Sequence, residues 1–318
     1  MRDKNEDRNV EPADTDERQA SRRRFLKRFS IGTGVVAVSS AFYLFNQRMV
    51  PGEVIPGKVL CDLHAHPDRD FHVDELIERL SAPGLVGLAM KNWYGGAKDI
   101  LTYEQALDVL PSGLLTEIDP GKLARCGDGY IARTQEVRAG RQHLLVLDWE
   151  GDYFPSYNSI EVAVNEIRSR NGIIILNHPF ALEGKRVLTL PKTEEEAQLV
   201  EKAYCLVDEV EVHNALCINI VPFFYDLREI NELAEKLRRE KFAHFKGVAN
   251  SDCHHYPDQL KIVGIYIDQA LIEVKGMGGI REALLSKDFI RLGDPSEGPY
   301  SSRMSMLEVA LTEYKFIM

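Results

Sequence analysis

From Lys58 onward this chain alternates short apolar runs with amphipathic helical segments, and no other feature constrains its fold as strongly. The runs "KVLCDLH" (58–64), "LVGLAM" (85–90), "HLLVLDW" (143–149), "GIIILNH" (172–178), "VDEVEVH" (207–213), "KGVANSD" (246–252) and "KIVGIYI" (261–267) read as strands. Most are continuously apolar or small, the pattern of a sheet covered on both faces. Between them, Ile160, Ala163, Val164 and Ile167 fall at helical spacing on one face. Thr193 and Glu196 are placed for a capping box ahead of Ala197, Val200 and Ala203. Leu227, Ile230, Leu233, Ala234 and Leu237 form a further stripe with Asp226 at its N-cap, and residues 279–286 supply a last helix. Strands alternating with helices predict parallel βα units, and about seven of them suggest an α/β fold closed, or nearly so, into a barrel. Residues 92–142 are the least regular and are expected to lay loops and short helices over the barrel mouth.

With 318 residues, 44% of them hydrophobic, the chain can bury a large core. Residues 1–50 carry 10 Lys/Arg against 7 Asp/Glu, leaving 29 against 42, or −13, for residues 51–318. An acidic body argues against binding a nucleic-acid backbone, so no nucleic acid is expected as a partner. The five cysteines form no CxxC pair, and they read as mostly buried thiols.

Residues 1–20 are polar and charged, the composition of a disordered segment. Ser21-Arg22-Arg23-Arg24-Phe25-Leu26-Lys27 then resembles the twin-arginine export motif, and residues 29–45 follow without a formal charge. That resemblance implies export through the twin-arginine machinery to a periplasmic or other extracytoplasmic location. Cleavage near Ala37-Val38-Ser39 and retention of residues 29–45 as an outward-facing membrane anchor are both open. The expected organisation is an N-region with signal or anchor (1–50), a linker (51–57), the folded body (58–292) and a C-terminal extension (293–318).

In a βα barrel, reactive groups sit where strands end and loops begin. His64 and His66 end the first run, Glu150 follows the third, His178 the fourth, His213 the fifth, and Asp252 and His254 the sixth. A strand alternates its faces, so His64 and His66 project together. Either spacing alone would fit packed core histidines. Repeated at successive strand ends, such residues point to a divalent cation that satisfies otherwise costly buried groups. Zn, Mn or Fe suits a His/Asp/Glu set without thiolates.

"LCDLHAHPD", "LDWEGD", "LNHPF", "VEVHNA" and "ANSDCHH", closing with "IREALLSKDFIRLG", resemble the successive motifs of the PHP (polymerase and histidinol phosphatase) superfamily over about residues 58–292. The resemblance implies a distorted (β/α)7 TIM-like barrel holding two or three metal ions. It implies that His64, His66, His178, Asp252 and His254 are ligands and that Glu150 bridges the ions. The sequence departs from the family at Lys91 and Asn92, where a "TDH" is usual. It departs again at Phe71, where an Asp is usual, with Asp68 and Asp70 only nearby and Asp70 the substitute candidate. Both departures weaken a third metal site, so one or two ions are expected. Lys91 either supplies charge in place of the third ion or is a solvated strand-end lysine.

Further substrate or proton-transfer candidates are Arg69, His213, Asn214 and His255, whereas His72, His143 and His244 read as structural or surface residues. Cys253 is expected to face away from the site, and "WYGG" (93–96) is either a gating loop or an ordinary turn. The expected activity is hydrolysis of a phosphate ester of a small, anionic substrate by a metal-bound hydroxide, with His254 or His255 protonating the leaving oxygen. Hydrolysis of a carbamate or amide at the same site, and metal binding without turnover, are the alternatives.

Overall fold

The computed structural model describes residues 54–67, 73–91, 100–183, 188–215, 228–254 and 259–292. The expected signal or anchor, Asp226, "WYGG" and the C-terminal extension lie outside them. Among the described residues, thirteen strands run in chain order: β1 Lys58–Ala65, β2 Gly84–Met90, β3 Leu115–Asp119, β4 Leu123–Cys126, β5 Gly129–Ala139, β6 Gln142–Leu147, β7 Ile173–Asn177, β8 Leu182–Glu183, β9 Leu188–Thr189, β10 Glu209–Asn214, β11 Val248–Asn250, β12 Ile265–Asp268 and β13 Ile290–Arg291. The principal sheet runs β11-β10-β7-β6-β5-β2-β1-β12-β13, with β3 and β4 packed off β5.

Its far edge returns to its middle. The Asp252 N–H donates to the His64 carbonyl at 2.8 Å and the His66 N–H to the Cys253 carbonyl at 2.6 Å. Ala65 and Cys253 form a parallel bridge. The fold is therefore mixed α/β with a nearly closed, barrel-shaped sheet whose ring is β1, β2, β5, β6, β7, β10 and β11.

Seven ring strands match the expected number, but their membership and direction differ. β5 lies within the stretch expected to be irregular, and it pairs in parallel with β2 along seven residues of each strand. β6 then runs antiparallel to both β5 and β7. The cause is local. Gly140 and Arg141 join β5 to β6, with Gly140 at φ +68°, so the chain reverses as a two-residue hairpin. A crossover helix would have kept the direction. The run at 261–267 contributes β12, which pairs antiparallel to β1 outside the ring.

Alternate positions along the strands separate the core into layers. Cys61, Leu63, Leu85, Leu145, Ile175 and Val248 share one cluster with Met277 and Ile280 of the helix Met277–Ser286. Leu144, Val146, Ile174 and Leu176 pack instead with Ala163, Val164 and Ile167 of the helix Ile160–Ser169. That helix buries the four residues its spacing indicated and begins at Ser159, whose hydroxyl accepts from the Val162 N–H. Thr193 caps the helix Glu194–Tyr204 by accepting from the Glu196 N–H at 3.3 Å. The Glu196 carboxylate turns back to the Lys192 N–H and to Arg141, so the reciprocal half of the capping box is replaced.

β1 and β2 approach closely because the register shifts between Asp62 and Ala65, which carries the Leu63 backbone over Gly87. A Cβ at Gly87 would stand 2.9 Å from the Leu63 Cα and nearer still to its carbonyl. Gly87→Ala is expected to destabilise the fold by about 1–3 kcal/mol through overpacking, read as a lower melting temperature in calorimetry. An unchanged melting temperature would show that β1 can yield there.

Candidate metal centre

The C-terminal ends of β1, β2, β7, β10 and β11 meet at one mouth of the barrel, the end at which βα barrels carry their chemistry. β5 brings Glu136 there, since Gln135 pairs with Met90 at the end of β2. The reversed β6 contributes its first residues, with His143 opposite Asn177.

The His64 and His66 side chains do project together, with their Nε2 atoms 3.0 Å apart and both residues fully buried. The His64 Nδ1–H donates to Glu211 Oε1 at 3.2 Å. The His66 Nδ1–H donates to the Ala89 carbonyl oxygen. With both Nδ1 protons engaged in this way, both Nε2 lone pairs face the same point, an arrangement that calls for a proton or a cation between them.

Carboxylates surround that point. Asp252 Oδ1 lies 3.5 Å from His64 Nε2 and 3.6 Å from His66 Nε2. Glu136 places Oε2 3.1 Å from His66 Nε2, and Oε1 3.6 Å from His64 Nε2 and 3.2 Å from His178 Nε2. Two triads able to hold a metal ion result: His64, His66 and Asp252, and His64, Glu136 and His178. One imidazole lone pair serves one ion, so His64 cannot fill both. The two oxygens of Glu136 can bridge them.

The donor set of buried imidazoles and carboxylates, without a thiolate, fits a divalent cation such as Zn, Mn or Fe. Charge points the same way. Glu136, Glu211 and Asp252 are each at most 5% exposed, so three carboxylates converge in the interior. Burial would raise the Glu136 carboxyl, yet His143 and hydrogen bonds to His178 and His64 hold it well below its usual range. Burial would also lower His64, but Asp252 and Glu211 drive its imidazole well above 6.5. Without a cation, the cluster therefore draws a proton onto His64.

Surrounding groups fix these side chains. Glu211 Oε2 accepts from the His178 N–H at 2.9 Å and from Asn214 Nδ2 at 2.9 Å. Asn250 Nδ2 donates to Glu211 Oε1 at 2.9 Å. Asn214 Nδ2 also reaches Asp252 Oδ2 at 3.1 Å. His143 Nδ1 lies 3.1 Å from Glu136 Oε1, and its Nε2 lies 3.7 Å from Glu183, which Arg138 holds. His178 and Asp252 adopt φ of +26° and +51°, an uncommon backbone that clusters at functional sites. The buried Nδ1 of His178 has no hydrogen-bond partner among the described residues.

His64, His66, His178 and Asp252 thus gather as expected, and Glu150 does not. Glu150 is exposed, its N–H bonds the Arg170 carbonyl, and its side chain accepts from Asn171. It follows β6, and the antiparallel direction of that strand delivers it to the opposite end of the barrel. Glu136, and not Glu150, stands among the clustered imidazoles, and His143, expected to be structural or surface, faces Glu136.

His254 stands at the edge, its ring 4.8 Å from that of His66 and its Nε2 2.6 Å from Lys91 Nζ. His213 is not among the clustered donors. Burial and the Arg291 guanidinium push its imidazole down to about 4. Cys253 is buried in a cluster with Ala65 and Leu76, and His244 is exposed. Arg69, Asp70, Asn92 and His255, with Phe71 and His72, lie outside the described residues.

No protein-family description and no curated protein matches the sequence. Among solved structures, the chain is similar to a two-domain protein of Bacteroides vulgatus described as containing a predicted PHP-like metal-dependent phosphoesterase. The TM-score is 0.46 at 13% identity, over 84% of this chain and 74% of that one. It is also similar to a lesion-specific endonuclease of Pyrococcus furiosus, with a TM-score of 0.44 at 14% identity, over 81% of this chain and 66% of that one. Endonuclease Q bound to a 27-mer duplex with an abasic lesion gives a TM-score of 0.45 at 14% identity, over 81% and 67%.

Glu136→Gln should abolish high-affinity binding of Mn(II) or Zn(II) in calorimetric titration, whereas Glu150→Gln should bind as the native chain does. Glu211→Gln should weaken binding about 10–100-fold, as expected for a group that orients a ligand. Equal effects at Glu136 and Glu150 would overturn the assignment. The metal-free chain should also respond to pH. His64 is raised, so the stability it contributes is full below pH 6.5 and fades as pH rises through its folded value. Melting temperatures without metal should fall on going alkaline, and added Mn(II) should restore them there.

Proposed function

We propose that this chain is a metal-dependent hydrolase of the PHP type acting on phosphate esters, with one or two divalent ions held by His64, His66, His178, Glu136 and Asp252. The observation that carries the reading is the convergence of both Nε2 lone pairs of His64 and His66 with the buried carboxylates of Glu136 and Asp252 at a barrel mouth. A divalent ion bound there supplies Lewis acidity and lowers the pKa of a water molecule.

The chain's own residues set the rest. Glu211 and the Ala89 carbonyl lock the tautomers of His64 and His66, and His143 orients Glu136. A structural cation would suit a closed tetrahedral site, whereas this donor set lies at the open end of strands. That position favours a reacting centre over a store.

The acidity of residues 51–318 bears on extended backbone binding and not on which phosphate bond can be cleaved at the mouth. A nucleic acid therefore belongs among the substrates to be tried, alongside small anionic esters. Export through the twin-arginine machinery is part of the same proposal, supported by "SRRRFLK" and the uncharged run at 29–45, with that run as signal or anchor. Among the described residues no helix is long and apolar enough to cross a membrane.

The test is turnover of phosphomonoesters, phosphodiesters, a lesion-bearing DNA duplex, a carbamate and an amide. Each is assayed with chelator, then with Mn(II) or Zn(II) restored. Expected is metal-dependent release from at least one phosphate ester, lost by His66→Ala and kept by Glu150→Gln. Turnover confined to the carbamate or amide would replace the phosphoesterase reading, and no turnover on any would end it.

A further inference from the structure

Lys91 follows the last residue of β2 and is half-buried at the rim of the donor cluster. Its ammonium Nζ lies 2.6 Å from His254 Nε2. The other ring nitrogen of His254, Nδ1, lies 2.8 Å from the Asp252 backbone carbonyl oxygen. A carbonyl only accepts, so Nδ1 carries the proton and Nε2 is the bare lone pair. An imidazole held through Nδ1–H by a carbonyl, with Nε2 aimed into a group of ligands, is how a metal-binding histidine is usually built. At His254 that lone pair already receives a hydrogen bond from a lysine.

We propose that Lys91 is a built-in cation occupying the coordination position of His254, so that His254 is not a metal ligand and the Lys91 ammonium draws a phosphoryl oxygen to that edge of the centre. The second half of this proposal rests on the phosphoesterase reading given above; the first half does not. A fixed ammonium differs from an ion in three ways. It survives chelation, it cannot activate a water molecule as a Lewis acid does, and its four-carbon stem sets where it can reach.

The centre then has two unlike halves. On the side of His64, His66, His178, Glu136 and Asp252, the charge is mobile and exchangeable. On the side of His254, it is covalently attached to the chain. A phosphoryl group spanning both would place oxygens toward a metal on one side and toward an N–H donor on the other.

The experiment counts ions in the full chain by mass spectrometry after equilibration with Mn(II) and removal of the free metal. His254→Ala should keep the native count. Lys91→Met, which frees the lone pair and removes the charge, should gain one ion, and the Lys91→Met/His254→Ala double variant should lose that gain. Lys91→Gln provides a second version should the methionine variant fail to fold.

In the same proteins, loaded with Mn(II), inorganic phosphate titrated calorimetrically should bind about tenfold more weakly to Lys91→Met/His254→Ala, which has neither the ammonium nor an added ion, than to His254→Ala, the loss of one charge-assisted hydrogen bond. A lower ion count in His254→Ala alone, or no gain in both Lys91 variants, would overturn the replacement. Unchanged phosphate affinity would overturn the anion-binding role. The ion counts do not depend on turnover, so a chain that shows them but cleaves no ester sinks the hydrolase reading and leaves the replacement standing.

Discussion

Glu136 is the group on which the centre depends. A carboxylate 2% exposed carries a desolvation cost that one hydrogen bond does not offset. Four imidazoles, those of His64, His66, His143 and His178, lie between 3.1 and 3.6 Å from its oxygens. Those histidines come from three places in the ring: His64 and His66 from the end of β1, His143 from the start of β6 and His178 from the end of β7. The carboxylate can stay ionised only if β1, β6 and β7 are all in register with β5. Burying this one charge therefore specifies the arrangement of four ring strands, beyond anything their apolar faces require.

How much of this can be read in the sequence depends on what decides each feature. The helix Ile160–Ser169 is legible because its burial is periodic and its cap is local: Ser159 precedes Ile160, Ala163, Val164 and Ile167. β1, β2 and β7 are legible because continuous apolar runs bury both faces. His64 and His66 follow from strand alternation alone. The direction of β6 is different, because an apolar run looks the same in either direction. What reverses it is the Gly140-Arg141 turn, and that turn is readable only once "GYIARTQEVRA" is recognised as a strand. If residues 92–142 are irregular, β5 is absent and β6 reads as parallel, which agrees with the mouth position that the family resemblance implies for Glu150. The hairpin signal, a glycine between two strand-like runs, is the feature able to identify Glu136. Glu211 was harder still. It lies in β10, "EVEVHN", where glutamates alternate with valines as solvent-facing residues would, and only the structure shows its two oxygens shared among His64, His178, Asn214 and Asn250.

Backbone strain falls at two of the clustered residues, His178 and Asp252. Both follow the last residues of their strands, where the ladder releases the chain and a left-handed residue re-aims the side chain. In each, a backbone N–H is nevertheless held, His178 by Glu211 and Asp252 by the His64 carbonyl. The strained conformations are therefore fixed by the same polar groups that surround the clustered imidazoles and carboxylates.

The seam that shuts the barrel carries a further consequence. Backbone bonds join His64 and His66 to Asp252 and Cys253, the Leu63 N–H donates to Asn250 Oδ1, and the Ser251 N–H donates to Asp62 Oδ1. Those partners are separated by almost the whole folded body, whereas Glu136 and His143 meet across a hairpin. An ion shared by His64, His66 and Asp252 would sit astride that seam and act as a clasp between the first and the last strand of the ring. Loading that site and closing the ring would then be one event, and a nascent chain could not hold an ion between His64, His66 and Asp252 before Asp252 had been made, whereas His64, Glu136 and His178 are all present by residue 178.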